Sequence, residues 1–156
     1  MVCLKSLVLL FIVLNVTLTF GQNAPVQLLN KEFKIQYFAK MTWFNAHLSC
    51  LDCGGQLASI ETEVEQKYVE GLIHDLDLQS KSFWTAGTDL ANEGIFNWFT
   101  TGDVITYANF APLRPDNKNG TEHCIVLFGA ESLKWNDFDC NSLAYFICEN
   151  KPKCYL

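Results

Sequence analysis

Apolar and polar positions change their spacing several times along the chain, and each change marks an element. Phe33, Ile35 and Tyr37 alternate with Lys34, Gln36 and Phe38, which predicts an opening strand. Thr42 is placed to cap a helix across Trp43 to Cys53, stopped by Gly54 and Gly55. Thr62-Glu63-Val64-Glu65 reads as a capping box. Val64, Tyr68, Val69, Leu72, Ile73 and Leu76 follow at helical spacing, so a second helix should run to about Leu76. Beyond it come short aromatic or β-branched segments at 83–87, 96–99, 124–128, 133–135 and 144–148, separated by turns. Two helices followed by short strands predict an α+β domain. Residues 101–123 hold no element of their own, and a structureless stretch of that length inside a compact domain is usually functional.

The N-terminal pattern is of another kind. Lys5 precedes an apolar run at 7–14, and Thr19-Phe20-Gly21 puts small residues around a cut before Gln22. This is the layout of a secretory signal peptide. A membrane anchor would want an unbroken apolar run of about 18–20 residues, and this one is shorter. The expected division is a signal peptide at 1–21, a short leader at 22–32, one domain at 33–150 and a tail at 151–156. The expected location is secreted and extracellular, with no membrane anchor.

Composition narrows the partners. Apolar residues make up 49% of the chain and include four Trp, enough for a real core, so disorder is excluded. The formal charge of −6, without any Lys/Arg cluster, excludes a nucleic-acid face. Loss of 1–21 removes Lys5 and Cys3, leaving Cys50, Cys53, Cys124, Cys140, Cys148 and Cys154. An even count in a secreted chain points to disulfides, and the count alone does not choose the pairing. Cys50-Leu-Asp-Cys53 has zinc-knuckle spacing, yet no second Cys or His pair matches it.

Candidate chemistry gathers late in the chain. Asp116, Asn117 and Glu122 in the long loop, then Asn136, Asp137 and Asp139, offer the hard oxygens that calcium takes. A solvated acidic loop is the plainer reading of the same residues. Catalysis finds little support: His47, His74 and His123 have no zinc-type partner, and Asp137 with Asp139 gives no opposed acid and base. The chain is expected to be a binder, not an enzyme.

These residues also carry a family likeness. Trp43-Phe44-Asn45-Ala46 with Cys50 comes first, then Gly54-Gly55-Gln56-Leu57-Ala58-Ser59-Ile60. Phe83-Trp84-Thr85-Ala86-Gly87-Thr88-Asp89 and Glu93-Gly94 with Trp98 follow. Pro115-Asp116-Asn117, Glu122-His123-Cys124, Trp135-Asn136-Asp137, Cys140 and Phe146-Ile147-Cys148-Glu149 complete the series. In order and spacing the chain resembles a C-type lectin domain over about residues 33–150, most nearly the short secreted lectins of insects.

The resemblance implies a C-type lectin fold: two helices packed on short antiparallel strands, a long ligand-binding loop, and disulfide staples. It implies the pairs Cys50–Cys148 and Cys124–Cys140. Cys53 and Cys154 are left over; a bond between them is expected, with free thiols or a covalent dimer as alternatives.

It further implies a calcium site made by Asp116, Glu122, Asn136 and Asp137, with Asp137 giving its side chain and its backbone carbonyl. A sugar's two vicinal hydroxyls would complete the ion's shell and bond to the same side chains, and the Arg114–Pro115 bond should be cis. Arg114 departs from the pattern. The family has Glu or Gln there, a calcium ligand and sugar partner, whereas arginine has donors only and stays charged. Its guanidinium would swing to solvent, or pair with Asp116 or Glu122 in the ion's place.

Asp116 matches the family's galactose-type pattern, though the aromatic that stacks on galactose is missing between Asp116 and His123. Asp89 and Glu93 match half of an auxiliary calcium site, with Asn117 and His123 where carboxylates would complete it, so no second ion is expected. Asn119-Gly120-Thr121 is a glycosylation sequon close to the proposed ligands. Two readings therefore stand: a calcium-dependent receptor for glycans on cells or glycoproteins, or a lectin-like module that has lost calcium through Arg114 and binds a protein partner. Glu122 and Trp135-Asn136-Asp137 favour the first; Arg114 and Asn119 favour the second.

Overall fold

The two ends of the domain lie side by side. In a computed structural model that describes residues 31–150, strand β1 (Glu32–Met41) pairs antiparallel with the last strand, β7 (Ala144–Asn150), matching Ile35 to Ile147. Between them run α1 (Trp43–Asp52), β2 (Gln56–Leu57), α2 (Glu63–Asp75), β3 (Phe83–Thr88), β4 (Asn97–Trp98), β5 (Cys124–Phe128) and β6 (Lys134–Phe138). The sheet order is β1-β7-β3-β5-β6, with β2 beside β7 and β4 beside β3. The pairing is not wholly antiparallel as expected: β3 runs parallel to β7, with Phe83 opposite Tyr145. Parallel neighbours need a long crossover, and here the chain between them carries the whole ligand-loop region.

Helix α1 starts where Thr42 turns from extended backbone, but the Thr42 side chain makes no cap hydrogen bond, a correction to the expected cap. Trp43, Ala46 and Cys50 form its buried stripe. Helix α2 is capped as the pattern predicts on one side only. Thr62 Oγ1 accepts from the Glu65 N–H at 3.1 Å. The Glu65 carboxylate reaches one residue further back than a capping box requires, to the Glu61 N–H at 2.6 Å.

The core is built around three fully buried tryptophans, Trp43, Trp84 and Trp135. Each indole N–H has an acceptor: Thr85 O at 2.7 Å, Met41 O at 2.9 Å and Gln66 Oε1 at 2.8 Å. Buried aromatic bodies thus contribute their area without leaving a donor orphaned. Strand β3 is buried at all six positions, as a central strand covered on both faces should be.

Disulfides join Cys50 to Cys148 and Cys124 to Cys140. The first fastens α1 to β7. The second closes a 16-residue separation across β5 and β6, worth about 3 kcal/mol in the chain-entropy description. Cys53 is itself disulfide-bonded, and Cys154 lies outside the described residues, as do the expected signal peptide, the tail and the leader up to residue 30; Glu32, expected in the leader, instead opens β1. Among the described residues no helix is long and apolar enough to cross a membrane.

Candidate metal and sugar site

Strand β6 carries the heart of the site. Trp135, Asn136 and Asp137 are buried in succession, so both faces of the strand are covered. The long loop does part of that covering. Ala111 N–H donates to Trp135 O and Trp135 N–H to Asn109 O, both at 2.9 Å. The rings of Tyr107 and Phe110 meet Trp135 edge-on at 5.7 and 5.6 Å. A segment with almost no secondary structure is thereby fixed against the residue that precedes the two proposed ligands.

Further along, the loop turns onto Asp137. The Arg114–Pro115 bond is cis. Both carboxylate oxygens of Asp137 accept backbone N–H groups, from Asp116 at 3.1 Å and Asn117 at 2.6 Å. Asn117 Oδ1 then accepts the Glu122 N–H at 3.1 Å, and Glu122 Oε2 accepts the Lys118 N–H at 3.2 Å. Asn117 and Asn119 sit in left-handed backbone, which asparagine tolerates better than most residues.

The result brings three of the four expected ligands together. One carboxylate oxygen from each of Asp116, Glu122 and Asp137 lies within 4.8 Å of the others. Asn136 is adjacent in sequence, 2% exposed, and its Oδ1 has no hydrogen-bond partner among the described residues. Buried amide oxygens normally find one. Burial first, and then the negative charges of Asp137 and Asp116, push the Glu122 carboxyl above its ordinary pKa. Converging carboxylates and an orphaned carbonyl oxygen are donors of the kind that could hold a hard divalent cation.

Arg114 reaches into the same cluster. Its Nη1 pairs with Asp116 Oδ1, one of the two outcomes expected for it. It offers the cluster a charge but no ligand atom.

The auxiliary group of residues is occupied differently. His123 Nδ1 lies 3.1 Å from Asp89 Oδ1 and 3.2 Å from Glu93 Oε2, and Asp89 Oδ2 accepts the Gly94 N–H at 2.8 Å. Asn117, the other expected member, gives its side-chain oxygen to Glu122 instead. These carboxylates have partners within the protein. Asn119 is exposed in a short 3-10 turn, Lys118–Gly120. His47 packs against Phe99 and Trp43, and burial lowers its pKa, as befits a packed residue and not a base poised for chemistry.

Sequence reasoning did not find Gln66, Asn109 and Ala111, which hold Trp135. Gln66 did leave a signal: it shares the buried face of α2 with Val69 and Ile73, and a polar residue there requires a partner.

A model of the lectin C-type domain family matches residues 39–150. The chain belongs to the C-type lectin family. It is 39% identical to salivary C-type lectin 2 of Aedes albopictus over 119 residues, covering 72% of this chain and 79% of the relative. Among solved structures it resembles the carbohydrate-recognition domain of mouse scavenger receptor C-type lectin, with a TM-score of 0.70 and 27% identity over 81% of this chain and 95% of that one. A calcium-independent type II antifreeze protein also matches, with a TM-score of 0.66 and 26% identity over 78% of this chain and 87% of that one. The mosquito relative is a lectin and the mouse domain a carbohydrate-recognition domain, in agreement with the expectation of a binder.

Proposed function

We propose that this C-type lectin is a secreted protein that binds sugars through calcium, with Asp116, Glu122, Asn136 and Asp137 as the ligands. The observation that carries the reading is the pairing of three converged carboxylates with the partnerless buried Oδ1 of Asn136. In such a site a bound calcium ion supplies open coordination positions for two vicinal sugar hydroxyls. The protein's part is to hold the acceptors. Asp137 is fixed by two backbone N–H groups, and Glu122 by one. Those N–H donors orient the carboxylates and leave them lone pairs for a metal or a sugar hydroxyl.

Asp116 supports a slight preference for galactose-type over mannose-type sugars. Secretion is supported by the signal-peptide pattern at 1–21 and by the salivary lectin among the relatives. The partners are then glycans on cells or glycoproteins. The test is a glycan array on the secreted, glycosylated protein, in millimolar calcium and in excess chelator. Binding to defined sugars that chelator abolishes is the expected result; binding in neither condition by folded protein would contradict it.

The Arg114–Asp116 ion pair favours a second reading, a module that works without calcium and binds a protein. The likeness to a calcium-independent antifreeze protein supports it, since that protein uses the same scaffold. An array negative in both conditions would select this reading.

A further inference from the structure

Resting on the calcium-dependent reading above, we propose that the site selects acidic sugars. The ligand class is a sugar bearing a carboxylate or sulfate beside its hydroxyl pair, and Arg114 is the residue that recognises the anion.

Charge is the first argument. Asp116, Glu122 and Asp137 bring three negative charges together and Arg114 one positive charge. A dication in the cluster leaves the group neutral. Had position 114 carried glutamate, the loaded site would stay negative and repel an anionic sugar. The substitution removes that barrier and puts a cation at the site's edge. Exposed Lys118 adds a second positive residue to the same loop.

The second argument is the state of the guanidinium. The Arg114 side chain is 24% exposed, and Asp116 is its only ion-pair partner among the described residues. Arginine presents several N–H donors in one plane, matched to the paired oxygens of a carboxylate or sulfate. A cation drawing on the Asp116 carboxylate weakens the guanidinium's hold on that partner. An anion on the incoming sugar replaces it, so metal and acidic sugar reinforce one another at Asp116 and Arg114.

The third argument is what the site lacks. Residues 117–122 contain no aromatic ring to stack on the apolar face of a neutral galactose. Leu113, next to Arg114 in sequence, is 93% exposed and has no ring to offer a stacking sugar. Discrimination here has to come from polar recognition, and Arg114 is the group positioned for it.

The test compares galactose, galacturonate and sulfated galactose as immobilised probes, with wild type, Arg114→Gln and Arg114→Lys, in calcium and in chelator. Calorimetric titration with calcium alone runs alongside. The expected result is chelator-sensitive binding of wild type with an acidic preference of about 10-fold or more over galactose. Arg114→Gln should lose that preference and gain neutral galactose while binding calcium more tightly, and Arg114→Lys should keep only part of the preference. Comparing galacturonate with sulfated galactose identifies which anion the site takes. Equal binding of neutral and acidic probes by wild type would overturn the inference and leave the lectin reading standing. So would an acidic preference that survives Arg114→Gln, or one that survives chelator and fades with salt. Absence of both calcium heat and sugar binding would overturn the lectin reading and this inference with it.

Discussion

Trp135 donates its indole N–H to Gln66 Oε1 at 2.8 Å, which ties the strand bearing Asn136 and Asp137 to helix α2. The same glutamine's Nε2 donates to Glu70 Oε1 at 2.7 Å, so its own orientation is set within the helix. Replacing Gln66 with Leu should leave a buried indole N–H unsatisfied, at a cost of about 1–3 kcal/mol by chemical denaturation. Calcium affinity should fall as well, because the neighbouring ligands lose their support. A stability loss without any change in calcium titration would show that this hydrogen bond does not position the site.

Asn136→Ala separates stability from ligation. Its Oδ1 has no partner among the described residues, so that oxygen contributes no hydrogen bond to the calcium-free domain. Wild type should gain melting temperature as calcium is added, because an ion that binds only the folded state stabilises it by mass action. The variant should show little or none of that gain. Thermal melts with and without calcium decide it, and a gain equal to wild type's would remove Asn136 from the ligand set.

Arg114→Gln removes an ion pair that is partly exposed, so folding stability should change little in chelator. Calcium affinity should rise, since Asp116 is released from its partner and an amide oxygen becomes available. Unchanged or weaker calcium binding would mean that Arg114 does not compete with the ion.

A pH effect should come from Glu149, buried beside Ser59 and Gln56. Burial pushes its pKa above the ordinary 4.5, outweighing Lys31 and the hydrogen bonds. The folded state therefore holds this proton where the unfolded chain has released it, and this group's contribution to stability rises as pH falls from neutral towards 4.5. In denaturant midpoints measured across that window, wild type should gain on Glu149→Gln as pH falls. A constant difference would contradict the assignment. Lys31, whose pKa is raised from 10.5 by Glu61, Glu149 and Glu65 against its own burial, titrates outside this window.

Asn119 is exposed beside the proposed ligands, so the protein expressed through a secretory pathway should carry a glycan there. Asn119→Gln should lower the mass by one glycan, and sugar binding should strengthen if the glycan shields the loop. An identical mass would show the sequon to be unused.

Much of this fold is legible along the chain. Strand β5 matches the apolar segment at 124–128 and α2 matches its spacing, because both depend on local period and local caps. Strand β4, Asn97–Trp98, falls within the expected segment at 96–99, whereas β2 is two residues long and carries no period to detect, and the parallel pairing of β3 with β7 depends on contacts far apart in sequence. The Thr42 cap fails because the helix start is instead held by Trp43 N–H donating to Cys140 O at 2.9 Å, a partner no local pattern names. In the site, Asp116, Glu122 and Asp137 are brought together at the positions the family likeness implies. The Gln66–Trp135 link and the loop's attachment at Asn109 and Ala111 depend on the folded arrangement. The sequence allowed the guanidinium of Arg114 several outcomes, and only the fold selects Asp116 as its partner.

The most direct test is a calcium titration by isothermal calorimetry on the secreted protein, with Asp137→Asn as the control. One ion per chain, with heat that disappears in the variant, is the predicted result. No heat for wild type at millimolar calcium, with the fold intact by circular dichroism, would contradict the account and leave a lectin scaffold that works without the ion.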